Sequence, residues 1–150
     1  MPKRKTTGTA LPAAKIEIDF VILGDFAQAV AGKLNLVGGG WNVHNPKQYP
    51  SDLLFGLGVG ILVPWNEANR VHRFEFVIKG SEGLTELLRG GGEFEVGRPP
   101  GIPAGMTQRV VVGISGPLKI PEPGSYEVVV KVGEAEKHVT FEALRTRASS

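Results

Sequence analysis

Gly56, Gly58 and Gly60 alternate with Phe55, Leu57, Val59, Ile61 and Val63 along the stretch Leu53–Val63. In an extended chain successive side chains point to opposite faces, so a period of two makes one face of large apolar groups and one of bare backbone. A helix would scatter both sets around its axis. The stretch is therefore a strand, and its bare face requires something packed closely upon it. An aromatic of a neighbouring strand, or Trp41 or Trp65, is the ordinary cover for such a strip. The functional alternative is a partner backbone or a ligand docked on Gly56, Gly58 and Gly60.

The same period recurs along the chain. Lys15 to Leu23 sets Ile16, Ile18, Phe20 and Ile22 on one face, and Lys33 to Val37 returns as a second strand. His72, Phe74, Phe76 and Ile78 alternate with Arg73, Glu75, Val77 and Lys79, and Val110, Val112 and Ile114 mark a strand that Gly116-Pro117 should end. Pro121-Glu122-Pro123-Gly124 is a turn, Tyr126 to Val132 a strand, Gly133-Glu134 its hairpin turn, and Val139 and Phe141 lie on the return. Asp25 as cap and Gly32 as stop predict a short helical turn over 24–32, and Leu84, Leu87 and Leu88 give 81–89 a helical tendency. The pattern predicts an all-β fold, a single antiparallel β-sandwich of about eight short strands, immunoglobulin-like or jelly-roll-like.

Gly90 to Pro103 joins a loop of three glycines with almost no side chains, a short strand over Glu93–Val96 and a stiff proline loop. It reads as the hinge between the two halves of the sandwich. Arg98 stands between Gly97 and Pro99-Pro100, where a stiff backbone holds it outward. Its bland role is pairing with Glu93 or Glu95; its functional role is a rigid contact loop of Arg98, Pro99 and Pro100, which loses little entropy on binding.

Zero cysteines exclude disulfides, thiolate metal sites and cysteine nucleophiles. The sequence pI of about 9.0 invites a nucleic-acid reading, but Lys3, Arg4, Lys5, Arg145 and Arg147 lie in the ends, leaving 12 basic against 15 acidic residues between 15 and 142. The body is mildly acidic. Nucleic-acid binding is thus expected to go no further than weak contact by the basic arm. The organisation expected is a flexible basic arm over 1–14, the domain over 15–142 and a flexible tail over 143–150. The first 14 residues carry no signal-peptide core, and the longest apolar run has 11 residues, too short for a membrane helix. A cytoplasmic protein follows, or a virion component if the chain is of phage origin.

The residues offer little chemistry. The glycine runs open no helix and precede no Lys-Ser/Thr, so no phosphate loop is expected. Glu93 and Glu95 share a strand face about 7 Å apart, which is usual for solvated carboxylates. His44, His72 and His138 lack ligand spacing, and Ser115 is not on a strand-to-helix elbow. No catalytic, cofactor or metal residue is assigned, and no enzyme is expected.

Asp25-Phe26-Ala27, Gly32-Lys33-Leu34-Asn35, Gly38-Gly39-Gly40-Trp41, Val63-Pro64-Trp65 with Asn69-Arg70, Gly91 to Gly101 and Pro123-Gly124-Ser125-Tyr126 together resemble an uncharacterised family of small bacterial all-β proteins, a domain of unknown function, over roughly residues 16–142. The resemblance implies a compact β fold of bacterial or phage-like origin and carries over no activity. The function expected is protein–protein contact, as a self-associating structural or accessory subunit of a bacterial or phage-type assembly, with Arg98, Pro99, Pro100, Trp41, Trp65 and the strand glycines as candidate contacts. A small-ligand or carbohydrate-binding module using Trp41, Trp65 and Tyr49 is the alternative.

Overall fold

The computed structural model describes residues 14–83 and 85–145. The expectations for 1–13, Leu84 and 146–150 lie outside them. The described chain is all-β: β1 (Glu17–Gly24), β2 (Phe26–Val30), β3 (Lys33–Val37), β4 (Val43–His44), β5 (Ser51–Val63), β6 (Val71–Gly80), β7 (Glu86–Glu95), β8 (Gln108–Ile120), β9 (Gly124–Val132) and β10 (Ala135–Ala143), with a 3-10 turn at Trp65–Glu67. One sheet has the order β1-β5-β8, a second β4-β10-β9-β6-β7, and β2-β3 is a separate hairpin. All pairings are antiparallel except β4 with β10.

Period-2 patterning puts the apolar faces of the two larger sheets into one core. Phe55, Leu57, Val59, Ile61 and Val63 of β5 share it with Phe74, Phe76 and Ile78 of β6, Val128, Val130 and Val132 of β9 and Phe141 of β10. Each such side chain contributes about 1.5–3 kcal/mol relative to leaving it in water. Tyr126 stacks on Phe141, and its hydroxyl donates to the carbonyl of Glu122, so burial strands no polar atom there.

Several expectations are corrected. The helical turn over 24–32 is hairpin β2-β3, closed by Ala31 and Gly32 at φ 51° and 75°, the paired positive values of a type I′ turn. Alanine and glutamine are good helix formers, but propensity is a weak force beside the close packing of β2 on the first sheet, which overrides it. Along β1 the register shifts between Ile18 and Phe20. This bulge at Asp19 moves Phe20 and Ile22 to the outer face, opposite Gly60 and Gly58, while Val21 and Leu23 join Ile18 on the core side.

The third correction is the glycine triplet Gly90–Gly92, which lies inside β7. The Phe76 ring fills the place of a Gly90 side chain, its Cε1 2.6 Å from where a Cβ would stand, so the glycine accommodates a core aromatic and is not loop punctuation. Residues 86–89, read as helical in tendency, are strand too. Finally, β8 runs on through Gly116-Pro117 to Ile120. A proline is tolerated there because, among the described residues, β8 pairs only with β5 and needs no amide on its other edge. With β2 and β4 added, the described residues hold ten strands where about eight were expected from turn spacing.

The bare face of β5 is filled by the chain itself. A Cβ on Gly56 would stand 2.6 Å from the Ala27 nitrogen and 2.7 Å from Phe26 Cα; one on Gly58, 2.8 Å from Leu34 Cδ2; one on Gly60, 2.6 Å from Phe20 Cδ2. On β8, Gly113 meets the backbone of Gln28 at 2.7 Å in the same way. Hairpin β2-β3 thus lies on the outer side of the three-stranded sheet at backbone contact distance. Gly56→Ala and Gly113→Ala are each expected to cost about 1–3 kcal/mol by overpacking. Gly116→Ala, whose Cβ would meet nothing within 4 Å, should move stability by no more than about 0.5 kcal/mol. Urea unfolding of the three variants measures the contrast.

Candidate functional site

The loop between β7 and β8 carries the chain from the five-stranded sheet to the three-stranded one. Two turns shape it. Ile102 N–H donates to the Pro99 carbonyl at 3.3 Å with Gly101 at φ 94°, and Met106 N–H to the Pro103 carbonyl at 3.1 Å with Gly105 at φ 85°; each turn has a left-handed glycine at its third position, as a type II turn requires, preceded by Pro100 in the first and Ala104 in the second. Its start is tied down as well. Asn69 N–H donates to the Val96 carbonyl at 2.7 Å, and the Gln108 amide to the Gly97 carbonyl at 2.8 Å.

Arg98 turns to Trp65. Its guanidinium carbon lies 4.1 Å from the centroid of the indole, and the same group donates to the Trp65 carbonyl. Its partner is thus this ring, supplied by the 3-10 turn after β5, and not Glu93 or Glu95. Pro99 and Pro100 follow in solvent. Two candidate contacts named from the sequence, Arg98 and Trp65, therefore meet in one place, and Pro99 and Pro100 follow them in the chain.

The others stand elsewhere. Trp41 packs edge-on against Phe141, with centroids 5.6 Å apart and planes at 73°, as part of the core margin. Gly56, Gly58 and Gly60 are covered by Phe26, Ala27, Leu34 and Phe20, and neither tryptophan touches them. Tyr49 donates its hydroxyl to the Leu144 carbonyl. Asp25, read as a cap or brace, stands over Gly38, while its amide donates to the Val37 carbonyl at 2.8 Å.

Ser115 serves the hairpin. The Ala27 amide donates to its Oγ at 2.7 Å, and that hydroxyl donates to the Ala27 carbonyl at 2.6 Å. One side chain thus satisfies both polar groups of a buried residue, as a neighbouring strand would. The histidines also have separate partners: His44 with Ser51 Oγ, His72 with the Glu67 carbonyl, His138 with Glu127 and Glu136. Burial pushes His44 below the ordinary histidine value.

Docking the hairpin leaves apolar side chains in water. Phe26 and Val37 face each other across β2 and β3 and are 43% and 58% exposed. Leu54, 70% exposed, shares its face of β5 with Gly56, which lies directly beneath Phe26. Pro117 stands opposite Leu54 and is exposed too. Asp52 and Lys119, paired at 3.0 Å, border the group. Sequence reasoning missed this surface because Phe26 was assigned to a helix; the signal was Ala31-Gly32 between two short apolar runs.

The outer face of the five-stranded sheet is charged. Arg73 pairs with Glu75 at 2.8 Å, Lys79 with Glu127 at 3.9 Å and Lys131 with Glu136 at 3.7 Å, while His138 bridges Glu127 and Glu136. Hydrogen bonding to Glu136, then to Glu127, raises the His138 pKa above the ordinary histidine value.

The model of a family of unknown function, DUF6941, matches residues 19–141. The chain belongs to this family. No curated protein matches it. The family match bears out the expected resemblance to an uncharacterised family. Among the described residues of this family member, no helix is long and apolar enough to cross a membrane.

Arg98→Ala should shift the emission of Trp65 and lower stability by about 0.5–1 kcal/mol, the worth of an exposed cation–π contact. In a Trp65→Phe background the remaining indole, Trp41, should not respond. His138 contributes stability that is complete below the unfolded histidine pKa near 6.5. That part is lost as pH rises through its higher folded value. His138→Gln should remove this decline in a pH series of unfolding midpoints.

Proposed function

We propose that the protein is non-enzymatic and works through protein–protein contact, as a structural or accessory subunit of a bacterial or phage-type assembly, on a β-sandwich of immunoglobulin-like or jelly-roll-like type. The observation that carries this reading is the exposed apolar group of Phe26, Val37 and Leu54 on the docked hairpin and the adjoining end of β5. Contiguous large apolar side chains in water, bordered by a charged pair, have the composition of an interface centre and its rim. The hairpin is held by backbone contacts and by Ser115, so the surface is rigid before binding and little ordering entropy opposes association.

The loop of Arg98, Pro99 and Pro100 is a second contact element. Its turns and its stack on Trp65 fix its shape in advance. For the carbohydrate-binding alternative there is less support, because Trp65 already stacks an arginine and Trp41 packs on Phe141.

Leu54→Lys tests the reading, since this side chain lies in solvent and its replacement leaves the core intact. Capture of a partner by the full chain, or its self-association by light scattering over a concentration series, should weaken about tenfold or more in this variant, as for a residue central to an interface. Removal of residues 1–14 should weaken it further. A chain that stays monomeric and captures nothing, or whose contacts ignore Leu54→Lys, overturns the proposal.

A further inference from the structure

Strand β7 ends the five-stranded sheet, and among the described residues it pairs only with β6. Ten residues of backbone therefore present an open edge. Such an edge is a template for another strand unless it is short, covered, broken by proline, bulged or charged. β7 is ten residues long and free of proline, its bulge at Leu87 lies near one end, and its charges are of both signs, so they repel a mismatched strand but pair with a complementary one. The free edge of β8, by contrast, carries Pro117 and has the hairpin packed against Gly113 and Ser115, and β1 lies beside β10.

We infer that β7 pairs with β7 of a second copy of this chain, antiparallel about a two-fold axis at Gly91, with Arg89 of each protomer opposite Glu93 of the other. This goes beyond the hairpin surface, which belongs to the other sheet, and stands or falls separately from it. Charge and shape together select the register. A two-fold axis normal to the sheet passes beside a residue that opposes itself, and centring it on Gly91 faces Arg89 with Glu93, Leu88 with Phe94, and Gly90 with Gly92, each twice; the one mismatch, Leu87 with Glu95, falls at the end of the strand, where a bulge at Leu87 interrupts the pairing with β6. Opposite charges and aromatic–aliphatic pairs directly across two strands are both stabilising.

Most neighbouring registers lose this match. Centring on Arg89 or on Glu93 sets like charges against each other. On Gly90, Glu93 meets Leu87 and Phe94 meets Glu86. On Gly92, Arg89 faces Glu95 in place of Glu93, but Phe94 arrives opposite Gly90, where the Phe76 ring already fills the space of a side chain, and Leu88 loses its aromatic partner. Flat glycine-rich strands specify register weakly by themselves, so the Leu88–Phe94 pairs, together with the two charged pairs, decide it.

The side chains are placed for this. Leu88, Gly90, Gly92 and Phe94 oppose Ile78, Phe76, Phe74 and His72 of β6 and so lie on the core side. Arg89 and Glu93 oppose Val77 and Arg73 on the outer face. Arg89 is exposed and bound only to the nearby Glu86, at 2.8 and 3.2 Å. The second strand extends both faces in kind, apolar to apolar and charged to charged.

Charge reversal in the full chain tests the pairing, read as dissociation constant by sedimentation equilibrium. In the Arg89→Glu dimer each new glutamate faces Glu93 of the other protomer, and in the Glu93→Arg dimer each new arginine faces Arg89, a like-charge pair made twice, so each single variant should dissociate about tenfold or more readily. The double variant Arg89→Glu with Glu93→Arg should return to the original constant. An equimolar mixture of the single variants should form a mixed dimer, because their edges are complementary. A dimer indifferent to all of these changes, or a double variant no better than the singles, overturns the inference. So does a chain that remains monomeric at every concentration. If that monomer still captures a partner through Leu54, the hairpin reading survives alone; a dimer sensitive to Arg89 but not to Leu54 leaves the edge pairing alone.

Discussion

Everything outside the core depends on how closely hairpin β2-β3 approaches β5 and β8. At Gly56 and Gly113 the hairpin backbone occupies the volume that any side chain would need. The consequence for β5 is burial on both faces from Phe55 to Ile61, glycines included, although its sheet has only three strands. A strand dry on both sides must have its polar backbone fully paired, and β1 and β8 supply that pairing along its length. The hairpin brings its own unpaired groups to the site, and Ser115 answers two of them at Ala27. Close approach and hydrogen bonding thus act at the same point, so the hairpin is an integral layer and the exposure of Phe26 and Val37 is a fixed property of the fold.

Period-2 alternation made the all-β class, the faces of β5, β6 and β9 and the β9-β10 hairpin legible from residues alone. The need for a close cover over Gly56, Gly58 and Gly60 was legible too, but not that a hairpin would provide most of it, since that contact joins residues far apart in sequence. Glycine misled in both directions. At Gly90 it was read as loop because its neighbour across the sheet, Phe76, is invisible in local sequence; at Gly32 it was read as a helix stop when Ala31 beside it shared a left-handed turn. The bulge at Asp19 was equally hidden, since a register shift leaves the composition of β1 unchanged.

For the candidate site, Arg98 and Trp65 were each chosen for their own chemistry, and the fold brings them together across 33 residues of chain. The pairing also explains the choice of residue. A guanidinium can lie flat on an indole and still donate to a carbonyl, whereas an ammonium on a flexible stem has no plane to stack. The exposed apolar surface was not legible, because exposure is decided by what the hairpin covers and not by the hydropathy of Phe26, Val37 or Leu54.

The two outer surfaces differ in kind, and symmetry makes the difference matter. On one side lies the hairpin with its apolar group; on the other, the outer face of the five-stranded sheet carries paired charges across β6, β9 and β10. A two-fold axis normal to that sheet preserves sides. Two copies joined at β7 would therefore present both hairpins in one direction and both charged faces in the other. Two equivalent apolar surfaces held on one side by a continuous sheet act together on a repetitive partner, the second contact forming at high effective concentration once the first is made. The charged side, whose ionic groups satisfy one another, resists stacking of further sheets. If the edge closes on itself and the apolar surface docks a partner as proposed, the molecule would suit the role of a component that binds an assembly as a pair and does not propagate as a fibre.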